Sequence, residues 1–138
     1  MKLAADANVL LSAVIGGRAR LAITHPQVEE LLTTATVYAE VEEYALELGR
    51  KKNIPSETLM LAVASLPVSI VDREIYKGSI ANAKREIGKR DPDDVELLAL
   101  AMHFKIPVWS NDNDFLECGV DRVTTAELLK ILGVESKG

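Results

Sequence analysis

The sequence predicts an α/β fold of three layers (α/β/α), in which helices cover both faces of a central parallel sheet of four or five strands. Short apolar segments alternate along the chain with longer segments of helical periodicity, and this order is typical of a parallel sheet. The 138 residues are enough for one domain and too few for two. We therefore expect a single domain over residues 1–134 and a short tail over 135–138.

The first two predicted strands are Lys2–Ala5, which is apolar after its first residue, and Val28–Leu32. Between them, Asn8–Val14 is predicted to form a helix, which ends at a pair of glycines. Arg18–Thr24 is predicted to form one or two further helical turns. A long helix follows the second strand and runs to about Lys51, with Thr33 or Thr34 as its cap. Apolar residues recur along it at helical spacing and are predicted to form its buried face: Val37, Val41, Tyr44, Ala45 and Leu48.

The second half of the chain repeats the alternation. Its predicted strands are Val68–Val71, Ile106–Ser110 and Val120–Val123. Its predicted helices are one from a Ser56 cap to Ser65, Ser79–Ile87, one from an Asp91 cap to Phe104, a short turn at Asp114–Glu117, and Thr125–Leu132. The first and fourth strands are the most apolar, so we expect them at the centre of the sheet.

Composition excludes several classes of protein. The net charge of −5 argues against a basic nucleic-acid-binding surface. The single cysteine, Cys118, excludes an internal disulfide and a zinc site built on cysteines. No apolar run approaches the eighteen residues of a membrane span, and the first residues lack the layout of a signal peptide. We therefore expect a cytoplasmic protein with no membrane partner.

Acidic residues follow the strands where parallel sheets place their sites, at the carboxyl ends. Asp6 follows the first strand, and Asn111, Asp112 and Asp114 follow the fourth. Asp94 begins the helix that leads into the fourth strand. The sequence thus places three acidic stretches at one edge of the sheet.

Each stretch also has a structural interpretation. Asp6 could simply cap the following helix. Asp94 has only apolar residues on its side of the predicted helix, so its carboxylate points toward the protein body, although acids in a first turn also stabilise the helix dipole. The segment around Asp112 could be an Asx-rich turn. Alternatively, Ser110 and Asn111 at its start could bind a phosphate or orient a carboxylate.

Clustered carboxylates without histidine or cysteine favour a hard cation, Mg²⁺ or Mn²⁺, because the ion removes their mutual repulsion. One or two such ions can activate a water molecule and stabilise the leaving oxygen of a phosphodiester. The acids therefore indicate metal-dependent phosphodiester chemistry.

Four motifs together resemble the PIN domain, the ribonuclease fold of VapC-type toxins and related archaeal and bacterial proteins. They are Asp-Ala-Asn-Val-Leu-Leu-Ser at 6–12, Tyr-Ala-Glu-Val at 38–41, Asp-Asp-Val-Glu-Leu-Leu-Ala-Leu-Ala at 93–101 and Trp-Ser-Asn-Asp-Asn-Asp-Phe at 109–115. The resemblance spans nearly the whole chain and implies a PIN-like three-layer fold. The second position of the opening motif, often a hydroxyl residue in the family, is Ala7 here.

The resemblance also implies roles for individual residues. Asp6, Glu40, Asp94 and Asp112 would line one metal pocket, with Asp114 as an auxiliary acid and Asn8 and Ser110 as polar supports. Glu40 rests mainly on the resemblance, because helical spacing does not exclude Glu43.

The resulting hypothesis is a Mg²⁺- or Mn²⁺-dependent endoribonuclease that cleaves RNA. The resemblance also implies that the protein could be the toxin of a toxin–antitoxin pair, with an antitoxin protein as its partner. The apolar helices also predict a homodimer or higher homo-oligomer. The alternative is a PIN-like module that binds RNA or protein with little or no turnover. A phosphoacceptor domain fits less well, because Asn8 stands where such phosphatases have a second aspartate and no lysine follows the fourth strand.

Overall fold

The computed structural model describes residues 1–88 and 91–134, which form a five-stranded, all-parallel sheet with helices on both faces. The strands lie in the order β3-β2-β1-β4-β5 and are β1 (Lys2–Ala5), β2 (Glu30–Thr34), β3 (Ser69–Val71), β4 (Val108–Trp109) and β5 (Arg122–Val123). The predicted three-layer fold is confirmed, and the predicted tail at 135–138 lies outside the described residues.

The helices of this part of the chain are α1 (Ala7–Val14), α2 (Ala19–Ile23), α3 (Ala35–Lys52), α4 (Ser56–Ala64), α5 (Arg73–Tyr76), α6 (Ile80–Ile87), α7 (Val95–Phe104) and α8 (Thr125–Ile131). Short 3-10 turns occupy Lys77–Ser79, Pro92–Asp94 and Asn113–Phe115. Within the described ranges, no helix combines the length and the apolar composition that crossing a membrane requires.

The central position of β1 follows from its burial. Leu3, Ala4 and Ala5 are almost completely inaccessible to solvent, and β1 pairs with β2 on one side and with β4 on the other. Helix α7 packs against these three strands and against α6, so it is buried over the run 97–101. The first and fourth strands are therefore interior, as predicted from their apolar sequences.

Two threonines extend β2 beyond its predicted end. The hydroxyl of Thr33 donates to the carbonyl oxygen of Ala5 at 2.9 Å, which ties β2 to β1 inside the core. Thr34 then caps α3, because its Oγ1 accepts a hydrogen bond from the Val37 N–H at 3.1 Å. The prediction of a threonine cap is confirmed, and the strand lies two residues later than predicted.

The predicted cap of α4 is wrong. Ser56 is the first helical residue, and Pro55 occupies the cap position without a side-chain hydrogen bond. The carbonyl oxygen of Pro55 accepts from the N–H groups of Thr58 and Leu59 instead. The helix therefore begins directly after the proline, whose fixed φ suits a helix start.

The buried face of α3 is narrower than predicted. Val37, Val41 and Ala45 are buried, but Tyr44 is 41% exposed. Residues four apart share one side of a helix, so Tyr44 lies on the side of Glu40 rather than on the core stripe. This difference places an aromatic ring beside the acidic residues of the next section.

Candidate metal centre

The topology places two of the predicted acids at adjacent strand ends. From β1 the chain winds through β2 and β3 toward one edge of the sheet, whereas β4 and β5 lie on the other side of β1. Ligand sites of open α/β sheets lie where the strand order reverses, outside the carboxyl ends. Asp6 follows β1 at this point, and its N–H donates to the carbonyl oxygen of Trp109 at the end of β4 at 3.2 Å.

A cavity of about 140 Å³ lies at this edge of the sheet. Its lining residues are Asp6, Ala7, Asn8, Val37, Glu40, Tyr44, Asp91, Asp93, Asp94 and Asp112. The four carboxylates that the resemblance implies, and the polar support Asn8, thus come from separate segments to line one cavity. Glu40 belongs to this lining and Glu43 does not.

Three acids of the cavity lining form a tighter group together with Asp114. Asp91, Asp94, Asp112 and Asp114 each offer a carboxylate oxygen, and these oxygens all lie within 4.8 Å of one another. Oxygen donors at this density suit a hard divalent cation. The predicted auxiliary acid, Asp114, belongs to this group.

Asp91 is a member of the group that sequence reasoning assigned only to capping. Its Oδ1 does accept a hydrogen bond from the Asp93 N–H at 3.0 Å, so the predicted cap exists. The same carboxylate also faces Asp94, three residues later. The spacing of one helical turn is the signal in the sequence that could have identified this pair.

Asp6 combines its two interpretations. It caps α1, because its Oδ1 accepts from the Val9 N–H at 3.0 Å, and it also lines the cavity. Burial raises the pKa of Asp6, while hydrogen bonds from the Ser110 hydroxyl and from the Val9 and Asn8 N–H groups oppose that rise. These donors hold the Asp6 carboxylate in one orientation.

Ser110 links the ends of the two strands. It is fully buried, its hydroxyl donates to Asp6, and its Oγ accepts from the Asp112 N–H at 2.9 Å. Asp112 Oδ1 in turn accepts from the Asp114 N–H at 2.9 Å, which forms the predicted Asx turn. The turn and the acid cluster are therefore the same segment.

Asn111 is not brought to the cavity. Its Oδ1 accepts a hydrogen bond from the Thr125 N–H at 2.9 Å, at the first turn of α8. In the described structure this side chain anchors a helix, and it does not line the acidic cavity with Asp112.

Asp94 provides the strongest test of whether a cation fits. Burial, together with the nearby carboxylates of Asp91, Asp112 and Asp6, raises the pKa of Asp94 to about 8. Its Oδ2 is inaccessible to solvent and has no hydrogen-bond partner among the described residues. A buried carboxylate oxygen without a partner is costly, and a divalent cation would satisfy it.

The pKa of Glu40 is also raised, first by burial and then by the charges of Asp93, Asp91, Asp6 and Glu43. Glu40 is half-buried and does not belong to the tight four-acid group. Its carboxyl group is nevertheless close enough for the charges of Asp91 and Asp6 to act on it.

The family model described as PIN domain matches residues 5–132. The chain belongs to the PIN-domain family. The curated proteins include no sequence that matches this chain with significance. The match covers every residue of the cavity lining, from Asp6 to Asp112, and all four acids of the tighter group.

Membership in this family indicates a nuclease-type function, and the four-acid group of this PIN domain is compatible with a divalent metal.

A larger cavity of about 770 Å³ lies at the opposite edge of the sheet, before β4 and β5, and its lining includes Arg85, Lys105 and Asp121. Its mixed charges and its place at the amino ends of the strands do not suit a metal site. The chemistry is therefore assigned to the smaller, acidic cavity.

Proposed function

We propose that this PIN domain is a metal-dependent endoribonuclease that hydrolyses RNA phosphodiester bonds. Asp6, Glu40, Asp94 and Asp112 would hold Mg²⁺ or Mn²⁺, with Asp114 as a further ligand. The observation that supports the proposal best is the convergence of these acids, from separate elements, on one cavity that contains a buried carboxylate oxygen without a partner.

A divalent ion bound there would supply Lewis-acid activation of water and of the scissile phosphate. The residues of the chain supply the geometry. Ser110 contacts both Asp6 and Asp112 and fixes their relative orientation, while the backbone N–H groups of Val9 and Asp114 each hold one oxygen of these two carboxylates. These supports act before any substrate arrives, which keeps the site preorganised.

Glu40 is suited to move a proton. Burial and the neighbouring acids raise the pKa of Glu40, which favours its protonated form compared with an exposed glutamate. From the cavity lining, its carboxyl group would donate that proton to a leaving oxygen at the phosphate. We assign Glu40 to that proton transfer in addition to its role as a ligand.

Electrostatics also support a metal requirement. The cavity is lined by six carboxylates, and like charges at such separations repel an anionic phosphate. A cation is needed to reverse that field, so RNA should bind productively only when the metal is present.

The test uses purified protein, Mn²⁺ and a short RNA labelled at both ends. We expect Asp6→Asn and Asp94→Asn each to abolish cleavage while the fold is retained, and Asp121→Asn, an exposed acid at the opposite edge, to cleave like wild type. Cleavage that is undiminished in both cavity variants would end the proposal. RNA that is bound but not cut, equally with and without EDTA, would favour the binding-module alternative.

We further propose a cytoplasmic toxin whose partner is an antitoxin protein, and a homodimer or higher homo-oligomer. Large apolar side chains on the surface support a protein partner, among them Leu61 at 70% exposure and Ile131 at 60%. Expression should arrest growth only when Asp94 is intact, and light scattering should give a mass above 15.0 kDa. Unimpaired growth would contradict the proposed toxin role, and the mass of a monomer would contradict the proposed oligomer.

A further inference from the structure

Tyr44 is an exposed aromatic residue on the wall of the acidic cavity. It is 41% exposed and lines the cavity together with Glu40 and Val37 of the same helix. It lies one helical turn after Glu40, about 6 Å along the axis of α3. Its hydroxyl forms no hydrogen bond within the described residues, so neither packing nor hydrogen bonding fully accounts for the ring.

The surroundings of Tyr44 are acidic. The carboxylates that act on it are those of Glu40, Glu43, Asp93 and Glu47. Lys51 approaches Glu47 at 3.9 Å, but no basic side chain in the described ranges forms an ion pair with the other three. These carboxylates would repel a phosphate group at this flank, whereas they would not repel the neutral aromatic ring of a nucleobase.

We propose that Tyr44 stacks on an unpaired nucleobase next to the scissile phosphate and so positions single-stranded RNA in the cavity. The inference rests on the proposed nuclease function. Every base presents a flat π-face, and stacking on an exposed tyrosine needs no positive charge. In a duplex both faces of each base are already covered, so Tyr44 would discriminate against paired substrate at this position.

The alternative is that Tyr44 is a displaced core residue. Its helix neighbours Val41 and Ala45 are fully buried and already fill the core side of α3. Burial of Tyr44 with them is thus not required for packing, and Ala at this exposed position should leave the fold intact. The matched control is Leu46, an exposed residue of the same helix at 36% exposure that does not line the cavity.

The experiment compares Tyr44→Ala, Tyr44→Phe and Leu46→Ala in the Mn²⁺ cleavage assay, with a single-stranded RNA and with the same sequence in a duplex. We expect Tyr44→Ala to raise KM for the single strand by about five- to thirty-fold, with a much smaller change in kcat. Tyr44→Phe should behave like wild type because it keeps the ring. Leu46→Ala should change nothing, and KM for the duplex should not respond to Tyr44→Ala.

A spectroscopic measurement tests stacking without turnover. RNA that carries 2-aminopurine beside a non-hydrolysable phosphonate at the scissile position is mixed with wild-type protein in Mn²⁺, so that every metal ligand is retained. We expect the probe to be quenched on binding, and Tyr44→Ala to remove the quenching while Tyr44→Phe retains it. Equal KM and equal quenching for Tyr44→Ala and its parent protein would overturn the inference.

The outcomes separate this inference from the function on which it rests. If Asp94→Asn abolishes cleavage and Tyr44→Ala matches wild type, stacking is wrong and the nuclease stands. If wild type does not cleave, or if Asp6→Asn and Asp94→Asn both cleave like wild type, the nuclease proposal fails and the inference fails with it. If Tyr44→Ala converts an oligomer into a monomer, the ring belongs to a protein interface and stacking on RNA is overturned.

Discussion

Replacing Asp94 by Asn should stabilise the metal-free protein at high pH. In the folded chain, burial and the charges of Asp91, Asp112 and Asp6 oppose ionisation of Asp94 and raise its pKa to about 8. In the unfolded chain the pKa of this carboxyl group returns to its ordinary value of 3.8. The folded state therefore binds this proton more tightly than the unfolded state, and ionisation at high pH favours unfolding.

The magnitude follows from the size of that shift. A rise from 3.8 to about 8 is roughly four pKa units, equivalent to about 5–6 kcal/mol without solvent screening. Asp94 is partly exposed, and solvent screens part of this energy, so we expect about 1–3 kcal/mol. Wild-type stability from this group is complete below about pH 4 and is lost as the pH rises through about 8.

The assay is urea unfolding in EDTA at several pH values between about 4 and 9. The gain from Asp94→Asn should be near zero at the acidic end and largest above about pH 8. Asp121→Asn, an exposed acid away from the cavity, should give no such trend. A gain that does not change with pH, or a variant less stable than wild type at the alkaline end, would refute the electrostatic account of this site.

Three further predictions follow from individual contacts. Mn²⁺ at about a hundred times its dissociation constant should stabilise wild type by about 2.7 kcal/mol, measured by urea unfolding, and EDTA should reverse the effect; no change in stability would contradict a metal site. Ser110→Ala removes a hydrogen-bond partner from Asp6 and Asp112. Titration calorimetry should therefore show weaker Mn²⁺ binding, and an unchanged affinity would show that Ser110 does not support the metal site. Thr125→Val leaves the buried Trp109 Nε1–H without its acceptor at 3.1 Å, and should cost about 1–3 kcal/mol in thermal or urea unfolding; a neutral result would show that another group accepts this bond.

The fold could be predicted because its signals are local and repeated. Each strand is a short apolar run beside a recognisable helix start, and parallel connections then leave few topologies. The same regularity predicted the edge where Asp6 and Asp112 meet, since the residues after parallel strands share one side of a sheet. The strands and helices differed from prediction mainly at their ends. In β2, the buried Thr33 and Thr34 extend the pairing with β3, and the Thr33 hydroxyl bonds to β1.

The site was harder to predict wherever a side chain has two local options. Asp91 reads as a cap from sequence, and only the fold shows that its carboxylate also faces Asp94. Tyr44 has the spacing of an apolar helix face, and this spacing is the same whether that side of α3 packs against the core or faces a cavity. Asn111 is bonded to Thr125, fourteen residues away, and no local pattern reports such a contact.

The energetics of the cluster connect stability to the proposed chemistry. Three of the carboxylates each accept a backbone hydrogen bond that fixes their orientation: Asp6 from Val9, Asp91 from Asp93, and Asp112 from Asp114. Asp94 is the exception, since its buried Oδ2 has no partner in the described residues. A protein selected only for stability would replace Asp94 with a neutral residue, because the apolar core of α7 directly follows it. An ionised acid at that position is favourable only when a cation binds it, so the cost carried by the metal-free fold is itself an argument for a metal-dependent function.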